Sequence, residues 1–386
     1  MKKVKIIKNV FWMVLFVLSL TACSTFFDKD NTPAPSPLVD FITEAHVHSL
    51  WYTSTSAGST GESLRLTPAI SGNSIFTASS NGVVAANDLA TGKSLWKINT
   101  GGDISGGVSA ADGQVYVGTR DGDLFALDQT NGKILWKTHS SSEILAAPAA
   151  TDSIVLAKSI DGCITAFSTI DGHLLWKSQQ TEPSLILRGS SAPQLTRSSA
   201  VVGFENGDLL KFGLRHGDIQ WQKSIAEPQG IFAVQRMIDM DANPVIHGNR
   251  VYAATYQGRI AALDLSSGNE IWSHDMSSYT GMATDGSKVY VSDAESHIST
   301  FNAANGTLLW QQNKLYARVI TGPALIHGYL VVGDAEGYLH WMNTQNGRFV
   351  ARVRVNKSGM AASPIVNNDI LYVYTKDGHL AAYTVQ

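Results

Sequence analysis

Eight imperfect copies of one phrase run through this chain, and that periodicity restricts it to a ring of small sheets. Two clean copies read DGDLFALD at residues 121–128 with GKILW at 132–136, and QGRIAALD at 257–264 with GNEIW at 268–272. The dipeptides that open the copies are Asn81-Gly82, Asp121-Gly122, Asp161-Gly162, Asn206-Gly207, Gln257-Gly258, Ser296-His297, Glu336-Gly337 and Asp377-Gly378. A closing tryptophan recurs at Trp51, Trp96, Trp136, Trp176, Trp221, Trp272 and Trp310, with Ala351 in the eighth slot. Successive slots lie 45, 40, 40, 45, 51, 38 and 41 residues apart, a period that belongs to propeller blades.

Each copy reads as antiparallel strands joined by tight turns. Asn-Gly and Asp-Gly between alternating runs are strong hairpin signals, because such turns need a positive φ that glycine adopts cheaply. A further short strand precedes each triple, often opened by a proline: Pro148, Pro193, Pro244, Pro323 and Pro364. Four antiparallel strands per unit, repeated radially, predict an all-β, eight-bladed propeller. The tryptophan falls on the outermost strand, where its apolar face wedges against the next blade; a role repeated in every unit is packing rather than catalysis. Residues 46–56 carry a Trp strand with no hairpin before it, whereas residues 365–385 supply three strands and stop. The N-terminal strand is therefore expected to complete the last blade and so remove an exposed edge.

The first 22 residues are expected to be a lipoprotein signal peptide. Lys2, Lys3, Lys5 and Lys8 form a basic head, and the apolar run from Val10 to Leu20 is short for a bilayer span. It ends in LTAC at 20–23, similar to the lipobox of bacterial lipoproteins, which makes Cys23 the expected lipidation site. Residues 23–44, with Pro33, Pro35 and Pro37, are expected to be a flexible tether, and 45–386 the propeller. Removal of the leader takes four lysines and no acid, moving the formal charge from −3 to −7. An acidic body argues against nucleic acid as a partner. The remaining cysteine, Cys163, lies in a strand-like run and is expected to be a small buried hydrophobe.

No reaction chemistry emerges. Gly92-Lys93-Ser94 lacks the glycine that a phosphate loop needs five positions earlier. Asp239-Met-Asp241-Ala-Asn243 begins like a calcium loop, but Pro244 occupies the glycine position and Arg250 the position of the bidentate acid. There is no nucleophile elbow and no paired carboxylate spacing, so neither a catalytic residue, a metal nor a cofactor is expected. The blade repeat also resembles that of quinoprotein alcohol dehydrogenases, whose adjacent cysteines and calcium site this chain lacks. A quinone-dependent periplasmic dehydrogenase is therefore a disfavoured alternative, and a carbohydrate-binding propeller ranks last.

Function is better sought where the period fails. From an outer-strand slot to the proline opening the next blade takes 12 residues at Trp136 to Pro148 and 13 at Trp310 to Pro323, but 17 at Trp176 to Pro193 and 23 at Trp221 to Pro244. The two insertions, around Glu182–Ala192 and Glu227–Asn243, leave neighbouring blades at the same type of connection and must emerge side by side on one face. Leu185, Ile186, Leu187 and Arg188 in the first, and Ile231 to Val234 and Met237 to Asp241 in the second, have the composition of a protein-binding patch.

Three segments carry a closer resemblance: 183–193 (PSLILRGSSAP), 236–244 (RMIDMDANP) and 331–341 (VVGDAEGYLHW). The chain resembles the BamB family, lipoproteins of the outer-membrane β-barrel assembly machinery. The resemblance implies a non-enzymatic scaffold, lipid-anchored in the outer membrane and facing the periplasm. It also implies docking on the POTRA domains of the barrel subunit BamA and help to unfolded outer-membrane protein clients. Carried over by position, the partner-binding residues are Leu185, Leu187 and Arg188 in the first loop and Asp239 and Asp241 in the second. The leucines would serve as apolar anchors, and the two aspartates would orient Arg188 or meet cations of the partner.

Overall fold

Eight four-stranded antiparallel sheets follow one another around a ring in this computed structural model, which describes residues 32–59, 64–183 and 185–386. Cys23 and the expected leader lie outside the described residues. The chain divides into residues 1–35 and a body from Ser36 to Gln386, and the body is the propeller. Blades 1 to 7 span residues 69–99, 104–139, 149–179, 194–224, 245–276, 281–312 and 324–354. Blade 8 combines three strands of 365–385 with Val47–Ser54, which pairs antiparallel with His379–Val385. The ring closes as expected. Among the described residues there is no α-helix.

The wedge role of the tryptophans has a definite geometry. Each outer-strand indole lies on the glycine four residues before the next blade's tryptophan slot. A Cβ on Gly132 would stand 2.6 Å from the Trp96 ring, and one on Gly172 the same distance from Trp136. In blades 1 to 6 the indole N–H then donates to a carbonyl in the same turn, as Trp96 Nε1 does to Gln129 O at 2.9 Å and Trp136 Nε1 to Thr169 O at 2.8 Å, whereas Trp51 Nε1 of blade 8 has no partner among the described residues. The glycine is thus required twice over, for its φ of +75° at Gly132 and for the space above it. This one contact, repeated at seven of the eight junctions, couples one blade to the next.

The exception at Ala351 follows from closure. Blade 7 has no complete turn to wedge against, because the third and fourth strands of blade 8 come from opposite ends of the chain, joined through His46 N to Gln386 O at 3.1 Å and Gln386 N to His46 O at 3.0 Å. The indole has moved across the strand pair: Trp341 on the third strand faces Ala351 on the fourth, where blades 1 to 3 have alanine facing tryptophan (Ala86–Trp96, Ala126–Trp136 and Ala166–Trp176). Ala45 fills the space beside Ala351 and Trp341 in one apolar cluster.

Part of the stretch expected to be tether is docked. From Ser36 to Ala45 the chain runs along the outer edge of blade 7. Arg318 Nη1 donates to Ser36 O at 2.8 Å, Arg352 Nη2 to Val39 O at 3.0 Å, Phe41 packs on Phe349, and Ala45 N reaches Val350 O at 3.2 Å. Apolar side chains at Val39 and Phe41, and backbone carbonyls that accept from the two arginines, make this stretch a strap. Its anchoring arginines belong to a buried network in which Asp334 Oδ2 accepts from Arg318 Nε and His340 Nε2, each at 2.8 Å.

Candidate functional site

In every blade the fourth strand ends, and the next blade's first strand begins, on the face that also carries the turns between second and third strands. The two long insertions occupy this face on either side of blade 4. They are tied to each other. Asp239 accepts a short hydrogen bond from Leu187 N, and Asn243 Oδ1 accepts from Ala192 N at 2.7 Å. A Cβ on Gly189 would stand 2.3 Å from Asp241 Oδ2, so the second loop's carboxylate sits directly on the first loop's backbone.

Of the five residues singled out, the structure leaves Leu185 and Arg188 exposed and Leu187 half-buried. Asp239 and Asp241 are buried, and they neither contact Arg188 nor face solvent where a partner's cation would meet them. The expectation for these two is corrected accordingly: their carboxylates hold the first loop from beneath. The acid that orients Arg188 is Glu143, 3.0 Å from Arg188 Nη2 and 3.8 Å from Arg120 Nε. Glu143 lies in the connection between blades 2 and 3, whose ordinary length gave no signal in the sequence.

Beneath the loops lies a concentration of buried charge. Lys158, on blade 3, bonds Gly203 O at 2.6 Å and Glu205 Oε1 at 2.8 Å, and both members of the ion pair are fully buried. Glu182 lies against Glu205, and burial followed by that like charge pushes its carboxyl up to about 9. Burial pushes Asp239 up to about 7, against the pull of the Leu187 N–H, and Asp241 up to about 6, against that of Arg65. Asp239 Oδ1, Asp241 Oδ1 and Glu205 Oε2 have no hydrogen-bond partner among the described residues. A desolvated carboxylate in that position is costly as an anion.

The mouth of the central channel opens beside these loops. A cavity of about 530 Å³ is lined by Leu64, Leu187, Arg188, Tyr256, Val319 and Met360, among others. Arg65, from the connection between blades 8 and 1, crosses to Asp241 O at 3.2 Å and to Tyr279 O, with its guanidinium 5.4 Å from the Tyr279 ring centre. Among the described residues no group of three or more His, Cys, Asp or Glu is arranged to hold a metal.

The sequence profile for outer membrane protein assembly factor BamB matches residues 80–299 and 294–386. A protein of that name from Pseudomonas aeruginosa is 44% identical over 374 residues, covering 97% of this chain and 98% of the relative. The Escherichia coli protein is 35% identical over 381 residues, covering 96% and 97%. The chain belongs to the BamB family. The crystal structure of BamB from Moraxella catarrhalis superposes with a TM-score of 0.81 at 24% identity, covering 88% of this chain and all of that one. A quinohemoprotein alcohol dehydrogenase from Comamonas testosteroni shares the fold alone, with a TM-score of 0.69 at 13% identity and coverage of 87% and 76%. The BamB family is one of assembly factors rather than enzymes.

Proposed function

We propose that this chain is a lipid-anchored scaffold of the outer-membrane β-barrel assembly machinery. On this reading it docks on the POTRA domains of BamA through its two neighbouring loops and helps bring unfolded outer-membrane proteins to the barrel subunit. Cys23 carries the anchor, and the propeller faces the periplasm. The observation that most supports docking is the pinning of the loops to each other. A patch whose backbone is already ordered loses little freedom on binding, and that raises affinity without any new contact. Leu185 and Leu187 supply apolar area, and Arg188 supplies a planar donor fork that Glu143 holds in place.

The test is co-purification of the barrel subunit with full-length chain. Arg188→Ala is expected to abolish it while the circular dichroism spectrum and melting temperature hold, because Arg188 is exposed and its ion pair with Glu143 lies at the surface. Retention of the barrel subunit by a folded Arg188→Ala protein would remove the site assignment. Cys23→Ser is expected to release the protein from the membrane fraction.

A further inference from the structure

The second loop is two structures in series. Residues 237–242 turn inward: Met237, Ile238, Met240 and Ala242 are buried, and Ile238 packs so closely on Gly207 that a Cβ there would meet it at 2.7 Å. Residues 230–236 turn outward. Ile231 is 90% exposed, Phe232 68% and Val234 56%, and the 3-10 turn Ala233–Arg236 buries none of its residues. The other exposed leucines are largely scaffold, repeated at the same outer-strand positions, as Leu95, Leu135 and Leu175 are. Among the described residues the cluster at 231–234 has no counterpart in any other blade.

This tip is built rather than loose. Gln235 Oε1 accepts from Ile231 N and Phe232 N, both at 3.1 Å, and Gln235 N donates to Phe232 O at 3.0 Å. Gly230 has a φ of +101°, and a Cβ on it would stand 2.6 Å from Gln235 Cβ. One side chain therefore fixes the turn that displays three apolar residues to water. Leaving that much apolar surface exposed costs stability unless something covers it in the working state.

Charge indicates what covers it. The exposed tip at residues 230–236 carries Arg236 and no acid, whereas Glu227 lies exposed at the base of the loop and Arg188 of the first loop is already held by Glu143. Among the described residues no carboxylate pairs with Arg236. We infer that the Ile231-Phe232-Ala233-Val234 turn is a second, preformed anchor. It seats in an apolar groove of the partner polypeptide bordered by carboxylates, which Arg236 meets. The inference rests on the docking reading above and extends the interface outward from Leu185, Leu187 and Arg188.

The experiment measures the affinity of the detergent-solubilised full-length chain for purified POTRA domains at fixed salt. Replacing both anchors, Ile231→Ser with Phe232→Ser, is expected to weaken binding by roughly 10- to 100-fold with no loss of melting temperature, because neither side chain is packed. Gln235→Ala, which leaves the apolar surface intact but frees the turn, is expected to weaken it several-fold. Arg236→Glu is expected to slow association and flatten its salt dependence. Unchanged affinity in the double variant, with docking still lost in Arg188→Ala, overturns this inference and leaves the docking reading standing. If Arg188→Ala also binds normally, both fall. Flotation of the parent, but not the double variant, with phosphatidylethanolamine–phosphatidylglycerol vesicles, at equal POTRA affinity, would assign the tip to the lipid surface and overturn the proposal. So would a parent dimer that the double variant dissolves.

Discussion

The propeller departs from its repeat in two places, and the two departures are resolved in opposite ways. At the closure between blades 7 and 8, the missing turn, the displaced tryptophan and the incoming strap compensate one another. Trp341 and Ala351 exchange volumes, Ala45 fills the gap, and Asp334 satisfies Arg318 and His340 together. Burial pushes the Asp334 carboxyl up, but the hydrogen bonds from His340, Tyr338 N and Arg318 outweigh it and hold it below the ordinary range. At the junction around blade 4, the longer loops bring in carboxylates with too few donors and leave apolar side chains outside. An irregularity whose buried charges are paired internally serves the fold. One left unsatisfied points to something beyond the chain.

Isosteric neutralisation separates the two. Asp334→Asn leaves Arg318 and His340 buried without their shared anion, and is expected to cost about 3–5 kcal/mol in chemical denaturation. Asp239→Asn keeps an oxygen for Leu187 N and removes a desolvated charge, so it is expected to fall within about 1 kcal/mol of the parent or to stabilise. Equal losses at both positions would erase the contrast. Between them in size stands Ala351→Trp, which puts two indoles across one strand pair and is expected to cost about 1–3 kcal/mol. Adding Trp341→Ala is not expected to restore stability. Blade 8 offers no glycine turn to receive an indole from position 351.

The sequence carried the ring, its blade number and its closure, because those depend on turn chemistry and strand alternation repeated eight times. It also located the two loops, since an insertion is visible as a break in period. It did not reveal which loop residues face solvent. Asp239 and Asp241 look like surface charges in a polar string, and only the fold over Gly189 and Gly203 places them inside. Glu143, Lys158 and Glu205 were illegible for a related reason. They reach the site from the connection between blades 2 and 3 and from blades 3 and 4, at positions where the repeat is regular, so nothing local marked them. The docked half of the tether was hidden by its prolines, which signal extended chain but not whether that chain is packed.

The smallest expected effect uses pH to read both regions in one molecule. Glu182, Asp239 and Asp241 have folded-state values near 9, 7 and 6, all above the unfolded values of about 4. Such groups bind more protons folded than unfolded, so their contribution declines as pH rises from about 4 and continues declining to about 9. Asp334 behaves conversely: its contribution is complete above about 4 and is lost as pH falls through its lowered value. Melting temperature is therefore expected to fall between pH 5 and pH 8. Hydrogen exchange should place the loosening in residues 182–192 and 237–243 and leave the strap protected. Glu182→Gln should flatten that slope without touching the acid limb, whereas Asp334→Asn should remove part of the acid limb and keep the slope. If exchange instead loosens the strap as pH rises, the strain has been placed on the wrong side of the ring.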